Sequence, residues 1–351
     1  MTDEQQGVSM TSMERVLTTL NHREPDRVPF FLLVTMHGAR ELGLSIQEYF
    51  SKAEYVVEGQ LRMLEKYRHD CLYPFFYAAM EAEAFGSETL WFADGPPNSG
   101  SPVIRTEHDI RTLRVPDVEN SCLNRVLEAT RALKKEVGEK VPIIGVVISP
   151  FSLPVMQMGF PAYIELMYDQ PALFQQLMEV NQEFCVRWAN AQVEAGATAI
   201  CYFDPLTSPT MTAPGEHLAA GFRISRQTLA RIHSPTAIHQ ASGCTLPVLD
   251  EIAATGTAAV GVSVLEDLAE LKQACRGRLT VLGNLNGVAM RRWTPQQAEE
   301  KVREAIRQAG AGGGFILSDN HGEIPWQVGE EVLLAVSEAV HRWGDYPLRD
   351  L

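Results

Sequence analysis

The sequence predicts an α/β protein: a single (β/α)8 barrel with an N-terminal helical extension and an insertion after the second strand. Eight short apolar runs follow one another at Phe30–Val34, Cys71–Tyr77, Pro142–Ile148, Thr198–Phe203, Pro235–His239, Ala258–Val262, Leu279–Leu282 and Gly314–Ser318. Helical patterns separate most of them, most clearly at Gln47–Tyr67, Pro171–Glu194, Pro247–Ala254 and Thr294–Ala309. Polar residues gather just beyond the runs, where a parallel barrel carries its chemistry.

The elements can be justified in order. Thr11 and Glu14 have the spacing of a capping box for a helix through Leu20. Asp26-Arg27-Val28-Pro29 then leads into the first run. Ala78–Glu119 lacks a clear pattern and reads as an irregular insertion over the barrel mouth. Thr294 is an N-cap, Pro295 takes the first helical position and Gly310 stands past the end. The tract Gly310-Ala311-Gly312-Gly313-Gly314 follows a helix and opens a strand, so it is a connection and not a phosphate loop. No repeat or linker divides residues 1–351, which read as one domain; residues 1–10 are polar and acidic, unlike a signal peptide, and are expected to be disordered.

Bulk properties narrow the function. Hydrophobic residues make up 45% of the chain, enough for a full core. No stretch of about 18 apolar residues occurs, so no membrane span is expected. The six cysteines form no C-x-x-C pair and read as reduced thiols, which fits the cytoplasm. A net charge of −14 argues against nucleic acid or an anionic membrane as partner. A homodimer is compatible with the composition. There is no G-x-S-x-G, no Walker A motif and no H-E-x-x-H.

The run ends supply the candidate site: His37, Tyr77, Ser149, Asp204, His239, Asn284, Asn286, Asp319 and His321. His239 and His321 close two runs about 80 residues apart in the chain. Two imidazoles at two strand ends can share one metal ion, with Cys244 or Glu323 completing a zinc-type set that keeps an open position. Asp204, His37 and Tyr77 are the acid–base candidates. Ser149, Asn284, Asn286, Glu81 and Trp326 are assigned to substrate. Asp319-Asn320-His321 resembles the start of a cobalamin-binding D-x-H-x-x-G signature, but the final Gly is absent, so this His is not read as a cobalt ligand.

With these residues in place, the chain resembles the uroporphyrinogen decarboxylase superfamily, closest to its methyltransferase branch, which includes the methylcobalamin:coenzyme M methyltransferases. The matching pieces run from about Met13 to Tyr346: Arg15-Val-Leu with Pro25-Asp-Arg-Val-Pro29, Glu81-Ala-Glu-Ala-Phe-Gly86, Ser149-Pro-Phe151 with Gly159, Glu194-Ala-Gly-Ala197 with Asp204-Pro205, His239, Leu249-Asp-Glu-Ile-Ala253, Gly283-Asn-Leu285, and Phe315-Ile-Leu317 leading to Ile324-Pro325. Resemblance to the decarboxylase itself implies basic residues after the first strand for a polycarboxylate tetrapyrrole. Here Leu32–Gly38 holds no Arg, and Tyr77 and Met156 stand where that enzyme has its central aspartate and pocket tyrosine. The methyltransferase branch implies zinc on an H-x-C pair after strand five and a Cys after strand eight. His239 keeps the first ligand, Ala241 replaces the paired Cys with Ser242 or Cys244 nearby, and His321 stands for the distal Cys.

A His-rich site with oxygen ligands suits polarising an oxygen more than activating a thiolate. The expected function is therefore corrinoid-dependent methyl transfer: zinc-assisted demethylation of a small O- or N-methyl donor, a methyl ether above all, onto a corrinoid carried by a separate protein. The alternatives are a methylcobalamin:thiol methyltransferase, a metal-free decarboxylase of a carboxylic acid and a non-catalytic corrinoid- or tetrapyrrole-carrying barrel.

Overall fold

The computed structural model describes residues 9–349; of residues 1–10, expected to be disordered, 1–8 lie outside the described residues, while Met10 N donates to Asp26 Oδ2 at 3.0 Å. Two short strands, β1 (Thr89–Leu90) and β2 (Asn98–Ser99), pair antiparallel. Six longer ones are β3 (Ile144–Ile148), β4 (Ala199–Phe203), β5 (Thr236–His239), β6 (Ala259–Gly261), β7 (Thr280–Leu285) and β8 (Phe315–Asp319). They form one parallel sheet in sequence order, each pairing with the next. Helices between them supply the crossovers that parallel strands need.

The first two apolar runs close this sheet into a ring. Phe31 N donates to Leu317 O at 2.9 Å and Leu317 N to Pro29 O at 2.9 Å, which joins the first run to β8. Leu72 N donates to Pro142 O at 2.8 Å and Ile144 N to Leu72 O at 2.9 Å, which joins the second run to β3. Asp70 N donates to Phe30 O at 2.7 Å and joins the two runs to each other.

Neither run is a regular strand, in contrast to the sequence reading, because side chains replace rungs of the ladder. Gln60 lies on the helix Ala53–Tyr67 and is almost fully buried. Its Nε2 donates to Val34 O at 3.0 Å and its Oε1 accepts from Tyr73 N at 2.9 Å. Gln192, on the helix Pro171–Ala195, donates to Val146 O at 2.8 Å and accepts from Val146 N at 3.0 Å. Glu81 accepts from Ile148 N at 2.9 Å. Buried backbone groups need partners, and three side chains supply them where the barrel opens.

Alternate residues fill the interior: Phe31, Leu33, Cys71, Tyr73, Ile144, Val146, Cys201, Leu282 and Ile316 pack as one cluster. The helix Ser12–Leu20 adds Val16 to it from below, and its Thr11–Glu14 capping box is present. The Thr294 cap and its helix Pro295–Ala309 are also as expected. Gln47–Tyr67 is instead two helices, Ile46–Tyr49 and Ala53–Tyr67, and Pro247–Ala254 starts as a 3-10 turn at Leu246–Val248. The Ala78–Glu119 insertion is more ordered than its sequence suggests. It holds the helix Ala79–Ala84, the β1–β2 pair and the helix Glu107–Thr112, whose start is fixed by a Thr106–Asp109 capping box.

A buried ion cluster locks the base. Asp70 accepts from Arg15 Nη1 at 2.7 Å, Arg27 Nη1 at 2.7 Å, Arg27 Nη2 at 2.9 Å, Ser12 Oγ at 2.9 Å and Phe30 N at 2.9 Å. Asp70→Ala strands buried guanidinium groups and is expected to cost about 3–5 kcal/mol. Urea unfolding measures it; a loss under about 1 kcal/mol, the size of an exposed pair, would show that the cluster does not hold the ring closed.

Candidate functional site

A cavity of about 350 Å³ opens at the C-terminal ends of the strands. Phe75, Ile148 and Phe203 come from the inner face; Ser152, Val155, Met156, Phe160, Leu206 and Met211 come from loops and short helices above it. His321, Gly322 and Glu323, just past β8, give it a polar side. Phe160 is 39% exposed and Met211 49% exposed, so the rim is apolar as well. No Lys or Arg is among the lining residues.

The loop after β8 owes its shape to Asp319. Its Oδ2 accepts from His321 N at 2.8 Å and from Gly322 N at 2.9 Å, which folds the chain back over the barrel. Tyr73 Oη donates to Gly322 O at 3.0 Å from the second run. Glu323 is thereby aimed inward, where Thr35 Oγ1 donates to it. Burial raises the Glu323 carboxyl to about 7, with nearby Asp319 adding to the shift and the Thr35 bond opposing it. Asp319 itself is raised to about 6 by burial. A pocket acid poised near neutrality is suited to handing over a proton.

Of the expected site residues, only His321 and Glu323 line this cavity. His321 Nδ1 lies 2.5 Å from Ser242 Oγ, which also accepts from Asn320 Nδ2 at 3.3 Å. His321 is also the wall of a second, more open cavity of about 610 Å³ with Ser242, Asn286, Arg291, Arg292 and Trp293. His239 is fully buried beside Phe203, with ring centroids 4.9 Å apart, and burial lowers its imidazole to about 3. Cys244 lies on the loop beyond, its backbone tied to Thr210 Oγ1 and Ser208 Oγ.

Among the described residues no three His, Cys, Asp or Glu side chains come close enough together to hold a metal ion. The expected set of His239, His321, Cys244 and Glu323 is therefore not assembled. Ser242 engages His321, Thr35 engages Glu323, and the residues present do not fit a zinc site.

The other expected residues take different positions. Asp204 is enclosed behind the cavity by three serines: Ser149 Oγ at 2.5 Å, Ser225 Oγ at 2.7 Å and Ser152 Oγ at 3.0 Å. Ser149 is thus a partner of Asp204, and Ser152 alone of the four lines the cavity. Tyr77 Oη donates to Glu83 at 2.9 Å, toward the insertion. His37 is buried 6.0 Å from the Trp326 ring, and Arg40 stacks on that ring at 3.9 Å. Burial holds His37 neutral, down to about 3, with the Arg40 charge adding to the effect. Asn284 donates to Ser263 O at 3.0 Å, and Asn286 caps the helix Gly287–Met290. Ser152, Ser242, Ser225 and Thr35 carry contacts that no local motif marks; Thr35 and Glu323 are 288 residues apart.

A profile of the family described as Uroporphyrinogen decarboxylase (URO-D) matches residues 11–343. The chain belongs to the uroporphyrinogen decarboxylase family. Proteins named uroporphyrinogen decarboxylase from Idiomarina loihiensis and Methylococcus capsulatus are 26% and 30% identical to it, over 94% and 87% of this chain and 96% and 88% of their own. A methyltransferase from Methanosarcina mazei superposes with a TM-score of 0.82 over 95% of this chain and 99% of that one, at 21% identity. A B12-independent methionine synthase from Shewanella sp. W3-18-1 superposes at 0.56 over 84% and 89%, at 14% identity. These likenesses show that the family member has the barrel fold.

Asp204 makes a pH prediction. Burial raises its carboxyl from 3.8 to about 6, against the serine hydrogen bonds. A raised carboxyl favours folding while protonated, so its contribution is complete below the unfolded value and is lost as pH rises through the folded one. A carboxyl raised from 3.8 to about 6 corresponds to about 3 kcal/mol. The stability of wild type relative to Asp204→Asn should fall between pH 4 and 6 and stay level above 7 in urea titrations. A constant difference across that window would mean the carboxylate is stabilised by a cation or water.

Proposed function

We propose that this protein transfers a methyl group from a small uncharged O- or N-methyl donor, a methyl ether above all, to a corrinoid carried by a separate protein. The observation that carries the reading is the cavity: apolar walls, one neutral-leaning carboxyl, one imidazole and no cation. A polycarboxylate substrate entering such a cavity would leave its charges unpaired at a cost of several kcal/mol each. A donor with one polar atom leaves nothing unpaired.

The chemistry needs leaving-group assistance. The methyl–oxygen bond breaks, its electron pair stays on oxygen, and the cobalt of a Co(I) corrinoid supplies the pair that forms the cobalt–carbon bond. The oxygen then takes a proton, and among the lining residues Glu323 is the acid able to provide it. No step is assigned to zinc. The Phe160 and Met211 rim leaves the cavity open to a carrier protein.

Decarboxylation is the second reading, favoured by the names of the relatives. The two separate in one assay. Free Co(I) cobalamin is mixed with a panel of methyl ethers and N-methyl compounds, and the cobalt absorption band is followed. Methylcobalamin should form slowly and only with enzyme. Release of CO2 from uroporphyrinogen, with no methyl–cobalt species from any donor, would replace this reading with the other. Met211 also lines the cavity, so Met211→Asp should slow transfer to both acceptors, but transfer to a protein-bound corrinoid by about tenfold or more beyond its effect with free cobalamin, since docking supplies orientation. Equal slowing of both would show that Met211 acts only through the donor and not at a docking rim.

A further inference from the structure

His239 ends β5, and its ring lies over Gly261 in β6, where a Cβ would come within 2.3 Å of the ring. Phe203 packs beside it, and a Cβ on Gly322 would stand 3.5 Å from Cε1 of His239. Phe203 and Gly322 both line the apolar cavity. The chain then turns sharply: Ala241 has φ of 51°, in the left-handed region, and its amide points back at the ring. Ala241 N donates to His239 Nδ1 at 3.1 Å. A backbone amide can only donate, so Nδ1 must hold a lone pair. The ring is neutral and its single proton is on Nε2. That N–H is buried and has no hydrogen-bond partner among the described residues.

This arrangement is the reverse of a metal ligand's. A histidine bound to a metal donates its other ring N–H to an acceptor. Here the other nitrogen accepts. A metal on Nε2 would leave the ring without any proton, and the one available lone pair is already covered by Ala241.

We infer that His239 is a fixed, neutral imidazole whose Nε2–H, held directly behind the Phe203 and Gly322 wall of the cavity, donates to a ligand oxygen that reaches past that wall, and is not a metal ligand. That the oxygen belongs to a methyl donor or its demethylated product rests on the reading above; the tautomer does not. A buried donor without a partner is destabilising, and an ether, phenol or alcohol oxygen relieves that cost. Gly261 and Gly322 are part of the device, since a side chain at either would collide with the ring or with Phe203.

The test is nitrogen NMR on untagged, full-length protein with 15N-labelled histidine at neutral pH. Resonances lost in His239→Gln should show a pyrrole-type Nε2 bearing a proton and a pyridine-type Nδ1. One equivalent of zinc should leave them unmoved. Phenol, used as the oxygen probe, should shift the Nε2–H proton downfield. His239→Asn is the second variant should His239→Gln not fold. An Nδ1–H tautomer, or zinc binding that removes the Nε2 proton, would overturn the inference. An Nε2–H unmoved by phenol up to its solubility would overturn the donor role while leaving the tautomer in place. None of these readouts depends on methyl transfer.

Discussion

One buried carboxylate, Asp70, sets the terms for the rest of the molecule. It starts the second apolar run and binds Arg15 of the first helix, Arg27 and the Phe30 amide of the first run, and Ser12. The first two runs share almost no ladder, so their spacing is fixed at the base by this cluster and farther up by Gln60. A carboxylate surrounded by two guanidinium groups and an amide has its charge met in place, which is what makes its burial tolerable. Because the seam is held by side chains, it can diverge toward the mouth.

The same logic of satisfied and unsatisfied polar groups organises the mouth. Asp204 is surrounded by hydroxyls, Asp319 by the amides of the loop it folds, and Glu323 by Thr35. These carboxyls hold structure or lean neutral. Among the described residues, the buried polar atoms without a protein partner at the inner strand ends include His239 Nε2, Gln240 Oε1, Ser318 Oγ and Asp319 Oδ1. The cavity lining is apolar apart from Ser152, His321 and Glu323, and it holds no Lys or Arg.

The sequence was a good guide wherever the signal is local. Strand runs, the Thr11 and Thr294 caps and the eightfold alternation all follow from neighbours within one turn or one strand. Strand-end position also singled out His321 and Glu323. The irregularity of the first two runs was not legible, because Gln60 reaches in from another helix to bond Val34 O of the first and Tyr73 N of the second. The metal set illustrates a different limit. Sequence places His239, His321, Cys244 and Glu323 near one barrel end, but what each side chain does there depends on rotamers and on partners such as Ser242, the Ala241 amide and Thr35. Tyr77 and Trp326 likewise sit at the right end and turn outward, toward Glu83 and Arg40. Strand-end position fixes a residue's height in the barrel and leaves open which way it faces.

The central claim is that the cavity selects an uncharged ligand. Calorimetric binding of a matched pair, methoxybenzene and methoxybenzoate, tests it most directly at neutral pH. With no cation in the lining, the neutral compound should bind and the carboxylate should bind at least about tenfold more weakly, a difference of roughly 1.4 kcal/mol. Tighter binding of the carboxylate would contradict the account and point to an acid-recognising pocket.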